Sequence, residues 1–553
     1  MKVFNTRGGY REYLGNALIL LLLAVSGWSI CFPVTNTDIW WHLAAGREIL
    51  TRGSLLYHDV FSYTLDNPEW IDLHWLFQIA AFTVYSVGGI SGLLVVKVLL
   101  VVITGLIVAF TFRRKWFGVT ASLLWVVSVF SAKYLMLLRP SLVTLFMIAL
   151  YFFFIERHRE SGRLSWIAAL IPLQVIWTNS QGLFILGPGI LLMFLIEKLI
   201  EYRRHSEKSG LFTFIKDNKM FLVISLLLLL SPLLNPYGIK GFLFPFELFM
   251  RINPFYENVF SDYISENTPL FKYGDETGQY LMFFTVFSVL MYFSFIVKKG
   301  EIRFFHVLSA LSFGFLALIA KRNLALFTVV FSLITAYNSS DPEKRFSEMF
   351  RKRYFMVLSG SIAGILILLQ SMILVKASES YPSDSCISPF RVPVNAVKYL
   401  KKNPAEGKVF STMRYGGYLI FSMFPGKRVN IDGRMIIRDA EFFRNYLELI
   451  REPGKGFDEY RERFGIERVL LPLSEIRIYN SLRKWLCKSE DWSVELIDGE
   501  SVLYKYTPDC AGILPLRVYE DRALSVIDER EWSNDVIRRE ARKGLYKFLS
   551  IVK

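Results

Sequence analysis

Apolar runs close to the thickness of a bilayer recur from residue 15 to residue 376, and charge is confined to the short stretches between them. A run of about 20 apolar residues is long enough to cross the hydrocarbon as a helix. Candidate spans are 15–33, 91–112, 117–137, 140–156, 164–178, 182–201, 219–234, 277–297, 303–320, 324–338 and 354–376. The pattern predicts a polytopic α-helical membrane protein with about 11 transmembrane helices. Composition agrees: 53% of the residues are hydrophobic and 48 are Phe, too apolar for a soluble chain. The net charge of +15 would suit a nucleic-acid partner. The basic residues, however, sit in loops between apolar runs, where Lys and Arg set membrane orientation, so no nucleic acid is expected.

Orientation turns on one segment, 74–89, "HWLFQIAAFTVYSVGG". It is apolar, but the break at Gly88-Gly89 leaves it short for a span. If it does not cross and the N-terminus is cytoplasmic, then Arg113-Arg114-Lys115, 157–163, Arg203-Arg204, Lys298-Lys299 and 344–353 all fall inside. That is the positive-inside rule. If 74–89 crosses, every one of those clusters moves outside. The segment is therefore read as a helix in or dipping into the outer interface. The first apolar run has no small-residue cleavage site before Asp38 and is read as a retained span. The expected setting is the cytoplasmic (inner) membrane, multi-pass, with the N-terminus cytoplasmic.

The tail differs in kind. "KVFSTM", "RVLLPL" and "VELIDGESVLYKY" alternate like strands, between helical stretches such as "NAVKYLKK". The expected organisation is a transmembrane domain, 1–376, with a large first external loop, 34–90. An extracytoplasmic α/β domain over 377–511 follows, then a charged, helical segment over 512–553. Cys31, Cys386, Cys487 and Cys510 lack metal-ligand spacing.

The chemistry-bearing residues cluster outside. In "TNTDIWWHLAAGREIL" (35–50), Asn36 or Thr37 can cap a helix starting at Asp38. Trp41 and His42 then share a face with Asp38 at i+3 and i+4. Asp38 either complements the helix dipole or acts as a general base tuned by partial burial. Five of the 12 tryptophans fall within 28–75. Indoles there anchor a chain at the interface or offer flat faces to sugar rings. His42, His58 and His74 near acids leave a divalent cation open as a cofactor, although no HExxH pairing is present. Arg139 and Arg322 break the inside bias of the basic clusters. They either snorkel or grip a phosphate in a bidentate fork. Asn179, Gln181, Asn235 and Tyr237 offer neutral hydrogen-bonding groups at span ends. Turn chemistry alone accounts for "NPYG". "YGGYL" and "NIDGR" (Asp432, Arg434) either bind an acceptor or close over the site, or Gly416-Gly417 and Asp432-Gly433 are strand-end turns.

The ordered set "TDIWWHLAAGREIL", "WIDLHWLFQIAAFTVYSVGGISGLL", "RPSLVTLFMIAL", "WTNSQGLFILGPGILL", "LNPYGIKGF", "KRNLALFTVVF" and "RYGGYLIFSMFPGKRVNIDGRM" resembles a group of bacterial membrane proteins similar to the GT-C superfamily. These are polytopic glycosyltransferases that use polyprenyl-phosphate sugars. The resemblance covers nearly the whole chain. It implies an acid in the first external loop at the reaction centre, which Asp38 matches, and cations near the lipid phosphate, which Arg139 and Arg322 match. The chain departs from the group at Gln181, where His is usual, and at Leu73, where an acid usually precedes His74. The implied activity is inverting transfer of a hexosyl or pentosyl unit from a polyprenyl-phosphate donor to a glycan, lipid or protein acceptor. Asp38 is the base, and Trp41, His42, His74, Arg139, Asn179, Gln181 and Arg322 bind substrate. The alternative is a non-catalytic protein that binds, flips or assembles lipid-linked saccharides. Nearly charge-free span centres disfavour a crossing path.

Overall fold

The computed structural model describes residues 6–112, 117–205, 211–251, 259–272, 275–298, 302–340, 353–378, 386–388, 391–434, 437–473, 477–508, 542–543 and 545. The helix expected over 512–553 lies outside these, apart from 542, 543 and 545. Contacts divide the chain into two compact units, Met1–Phe32 with Leu94–Met372, and Pro33–Leu93 with Ile373–Lys553. The division expected from sequence groups the loop 34–90 with the spans, whereas its contacts place it with the tail.

The first unit is helical. Helices stand at each expected span, for example Phe117–Ala132, Ser141–Ser161, Asp275–Val297, Phe304–Ile319 and Arg353–Ser378. Among the described residues, Trp75–Phe110, Phe117–Leu135, Ser141–Ser161, Gly182–Arg204 and Thr277–Val297 are long and apolar enough to cross a membrane. Shorter apolar helices accompany them. Leu324–Ser339 is buried at every residue except Ser339. Two of its hydroxyls are satisfied within the helix: Thr328 donates to the Ala325 carbonyl (2.7 Å) and Ser332 to the Thr328 carbonyl (2.8 Å). Its apolar surface packs ring on ring, Phe331 stacking on Phe287 at 4.6 Å. Because a buried hydroxyl without a partner is costly, this local bonding lowers the cost of burying Thr328 and Ser332.

The break expected at Gly88-Gly89 is present. Gly89 leaves the helix at φ 58°, ψ −151°, a conformation open only to glycine without strain, and separates 75–88 from 90–110.

The second unit has a four-stranded sheet in the order β1-β2-β4-β3, with β1 Lys408–Ser411, β2 Ile466–Pro472, β3 Trp492–Ile497 and β4 Ser501–Tyr506. β1 and β2 are parallel, joined by a crossover containing the helices Met413–Met423, Ala440–Arg451 and Gly454–Phe464. β3 and β4 form an antiparallel hairpin. Its turn is set by Gly499 at φ +82° and by the Asp498 carboxylate, which accepts the Glu500 and Ser501 amides at 3.0 and 2.7 Å.

The loop 34–90 is stitched into this domain by backbone. Tyr63 N–H donates to the Val429 carbonyl (3.0 Å), and Val429 N–H donates to the Phe61 carbonyl (2.9 Å). Asn430 then reaches β1, its amide oxygen accepting Ser411 N–H at 2.9 Å and its amide nitrogen donating to the Ser411 carbonyl at 2.9 Å. One apolar core draws on both segments, with Trp41, Ala44, Phe61 and Trp70 from the loop and Val409, Leu419, Ile420 and Leu470 from the tail.

Gly416-Gly417 is not a strand-end turn. Both glycines lie inside the helix Met413–Met423, and a Cβ on Gly416 would sit 1.9 Å from the Ile431 carbonyl oxygen. Glycine is required there because backbone occupies the side-chain position. Gly416→Ala therefore forces the 431–433 segment away, at a cost of roughly 1–3 kcal/mol typical of overpacking. Thermal unfolding in detergent is expected to show a lowered midpoint for Gly416→Ala. Gly456→Ala is the control, since its Cβ meets nothing within 4 Å; equal midpoints for the two variants would refute the packing claim.

Candidate functional site

The helix predicted from Asp38 to about Leu50 is observed as Ile39–Arg52, closed by Gly53 at φ +67°. Asp38 occupies the N-cap position, but its side chain makes no capping hydrogen bond. Asn36 supplies the local turn, its side-chain oxygen accepting Asp38 N–H at 3.0 Å. The Asp38 carboxylate points instead at the tail. A Cβ on Gly433 would lie 2.3 Å from Asp38 Oδ1 and 3.5 Å from Trp41 Nε1. A Cβ on Gly417 would lie 2.8 Å from the Thr37 carbonyl oxygen. The "YGGYL" and "NIDGR" motifs thus press bare backbone against the start of the Asp38 helix.

Trp41, His42 and His74 are brought together. The Trp41 and His42 rings are 3.6 Å apart between centroids, His42 and His74 5.5 Å, and Trp41 and His74 6.3 Å. Asp72, buried, turns the His74 backbone by accepting its N–H at 3.0 Å, and the His74 ring nitrogen Nδ1 lies 3.5 Å from the same oxygen. Trp41 Nε1 and Asp72 Oδ2 are buried with no hydrogen-bond partner among the described residues. Such groups favour an added hydroxyl or water.

Beneath Asp38 lies a fully buried ion network. Arg434 donates through Nη1 to Asp59 (2.6 Å) and through Nε and Nη2 to the two oxygens of Asp432 (2.9 and 2.8 Å). Arg438 donates to Ser62 Oγ at 2.9 Å and to Asp432 at 3.3 Å. The Arg434 guanidinium also lies 4.8 Å from the Trp70 ring and 5.0 Å from Phe61. Burial pushes the Asp59 and Asp432 carboxyls up, but Arg434, together with the Ser62 and Phe61 hydrogen bonds at Asp59 and with Arg438 at Asp432, holds both below the usual carboxylate range. Arg434 is correspondingly held above its ordinary value despite burial, by Asp432 and Asp59.

The first unit has its own charged cluster. Arg139, just ahead of the helix Ser141–Ser161, forms an ion pair with Glu266, the two side chains 21% and 28% exposed. Burial raises the Glu266 carboxyl, while Arg139, then Arg322 and Lys321, lower it further, so the net direction is below its ordinary value. The segment carrying Glu266 is fixed to the 318–323 turn by backbone bonds from Leu270 to Leu318 (2.9 Å) and from Lys321 to Thr268 (3.0 Å). Arg139 and Arg322 are therefore brought together, with Lys321 added, three cations around one carboxylate. Asn179 and Gln181 have backbone roles. Asn179 Nδ2 donates to the Val175 and Leu234 carbonyls at 2.8 and 2.9 Å, and the Gln181 side chain accepts Leu183 N–H as a cap. Asp38, Trp41, His42 and His74 belong to one compact unit and Arg139, Asn179, Gln181 and Arg322 to the other. Among the described residues no group of three or more His, Cys, Asp or Glu is arranged to hold a metal ion.

The sequence matches no protein-family model and no curated protein. Solved structures do match. The archaeal oligosaccharyltransferase AglB from Archaeoglobus fulgidus, in complex with an inhibitory peptide and a dolichol-phosphate, aligns over 86% of this chain and 71% of its own, with TM-score 0.60 and 12% identity. The Archaeoglobus fulgidus oligosaccharyltransferase tethered to an acceptor peptide containing the NVT sequon aligns over 86% and 71%, with TM-score 0.56 and 12% identity. Its complex with Zn and sulfate aligns over 85% and 69%, with TM-score 0.50 and 12% identity.

The chain has a GT-C fold.

Within this GT-C fold, sequence reasoning found Asp38 and its aromatic neighbours but missed two partners. Glu266 was hidden among the residues between the apolar runs 219–234 and 277–297. Asp59 was visible only as one of several loop acids, 375 residues from Arg434. The signal available for Arg434 was a lone Asp-Gly-Arg set between apolar residues, where a charge must find a partner.

The network has a pH signature. Carboxyls whose pKa falls on folding contribute stability that is complete above their unfolded values, about 4. That stability is lost as pH falls through the lowered folded values. Acid unfolding followed by tryptophan fluorescence is expected to be less steep with pH in Asp432→Asn than in the parent below about pH 4. Identical pH dependence would contradict the role given to Asp432.

Proposed function

We propose that the chain is a membrane glycosyltransferase that moves a sugar from a polyprenyl-phosphate donor to an acceptor outside the cytoplasmic membrane. The observation that carries this reading is the likeness, over 86% of the chain, to an oligosaccharyltransferase solved with a dolichol-phosphate. The placement of Asp38 supports it: a carboxylate at a helix N-cap that makes no capping bond and is framed by glycine backbone.

In this reading Asp38 accepts the proton of an acceptor hydroxyl. The hydroxyl oxygen forms a bond to the anomeric carbon as the bond from that carbon to the phosphate oxygen breaks. The polyprenyl phosphate leaves with the electron pair, and direct displacement inverts the anomeric centre. Arg139, Lys321 and Arg322 hold the phosphate, where fixed cations offset the developing charge. Glu266 aims the Arg139 fork and stays ionised. Trp41, His42 and His74 offer ring faces and donors to sugar or acceptor hydroxyls. About eleven spans, a cytoplasmic N-terminus and a tail on the outer face follow from the positive-inside pattern. Glycan, lipid and protein acceptors all fit the reading, and assays with and without added divalent metal decide the metal requirement.

Purified Asp38→Asn, assayed with a labelled polyprenyl-phosphate sugar, is expected to lose roughly 10²–10⁴-fold in transfer, the range for a general base. Transfer at the parent rate would remove Asp38 from the mechanism. Parent protein that moved the labelled lipid across vesicles without forming product would instead establish a flippase.

Arg322→Gln is expected to weaken donor use by roughly ten- to a hundredfold, the equivalent of one charge-assisted hydrogen bond. The loss should appear in the donor KM before kcat. An unchanged donor KM would exclude Arg322 from the phosphate site.

A further inference from the structure

The loop after the Lys219–Leu233 helix is not irregular throughout. It contains a 13-residue helix, Ile239–Arg251, "IKGFLFPFELFMR". Its residues sort into three rows at helical spacing. Ile239, Leu243, Phe246 and Met250 form an apolar row, each between 46% and 65% exposed. Lys240, Glu247 and Arg251, all exposed, form a charged row roughly a quarter turn away. Gly241 and Phe244 are buried on the side that packs on Gly182–Ile185 and Ser231–Leu233.

Three faces require three surroundings. The protein supplies one and water suits the charged row. The apolar row needs a third medium, because a contiguous exposed row of Ile, Leu, Phe and Met is not stable in water.

What that medium is follows from where the helix begins. Only residues 234–238 separate it from the apolar helix Lys219–Leu233. That link is a fixed turn. Asn235 Nδ2 donates to the Pro232 and Gly238 carbonyls at 2.8 and 2.9 Å, Asn235 Oδ1 accepts Tyr237 N–H at 2.8 Å, and Gly238 adopts φ +54°. Gly241 keeps the turn closed, since a Cβ there would lie 2.1 Å from Asn235 Oδ1. The helix therefore starts at the level where the preceding apolar helix ends. We infer that Ile239–Arg251 lies in the plane of the membrane surface, with its apolar row in the acyl-chain boundary of the adjacent leaflet and its charged row among headgroups and water. This placement is independent of any transferase activity.

The test is a spin-label scan of the full chain in phosphatidylcholine–phosphatidylglycerol nanodiscs. The parent for the scan has its four cysteines replaced by serine. Ile239→Cys, Lys240→Cys, Leu243→Cys, Phe246→Cys, Glu247→Cys, Met250→Cys and Arg251→Cys are labelled one at a time, with elution on size exclusion as the folding check. Labels at 239, 243, 246 and 250 should collide several-fold more with oxygen than with a water-soluble nickel chelate. Labels at 240, 247 and 251 should show the reverse. Nickel contact at all seven positions would overturn the inference, as water then surrounds the helix. Weak collision with both reagents along the apolar row would also overturn it, because protein, such as a second copy, would then cover that row.

Discussion

One guanidinium holds the second unit together. Arg434 is fully buried and its ion pairs run to Asp59 in the loop 34–90 and to Asp432 in the tail. Removing a guanidinium from water is costly, and the cost is met only if each donor finds an acceptor in good geometry. Three charge-assisted bonds between 2.6 and 2.9 Å, with two aromatic faces beside the cation, meet that condition. The consequence is topological. A loop near residue 60 and a strand-crossover segment near residue 430 cannot part without leaving a buried ion unpaired, so they behave as one folded body.

That closure determines where Asp38 is held. The Asp432-Gly433-Arg434 step is fixed by the ion network at both ends, and its glycine is the residue that meets Asp38. Gly416 and Gly417 bring the next helix onto the same segment and onto Thr37. A carboxylate packed this way has a defined direction without a capping bond, which the proposed role of accepting a proton from a positioned hydroxyl would need. The first unit has a different electrostatic character. Arg139, Lys321 and Arg322 around Glu266 leave a net positive cluster, which suits the phosphate of the proposed donor.

Much of this was legible in the sequence, and the reasons differ by feature. The apolar helices were readable because long runs nearly free of charge stand out in the sequence; among the described residues five of them reach membrane-crossing length and others are shorter. The break at Gly88-Gly89 was readable because the two glycines interrupt an otherwise continuous run. Trp41 and His42 were readable as neighbours of Asp38 because helical spacing fixes who shares a face. The pairing of Asp59 with Arg434 was not, since contacts across hundreds of residues leave no local pattern. The local partners of Asn179 and Gln181 were not legible for the same reason: sequence shows an amide, not the Leu234 carbonyl that Asn179 reaches or the Leu183 N–H that Gln181 accepts. Gly416-Gly417 reads as a turn, although it lies in a helix, because close backbone approach and turn formation both call for glycine. Sequence alone does not separate the two.

Hydrogen exchange of the full chain in nanodiscs tests the central claim, that loop and tail form one body around Arg434. The amides of Tyr63 and Val429 donate to Val429 and Phe61 across the two segments. They should exchange through a single cooperative opening, and Arg434→Met should speed both by the same factor. Loop amides that exchange on their own faster schedule, with tail protection unchanged in Arg434→Met, would contradict the account.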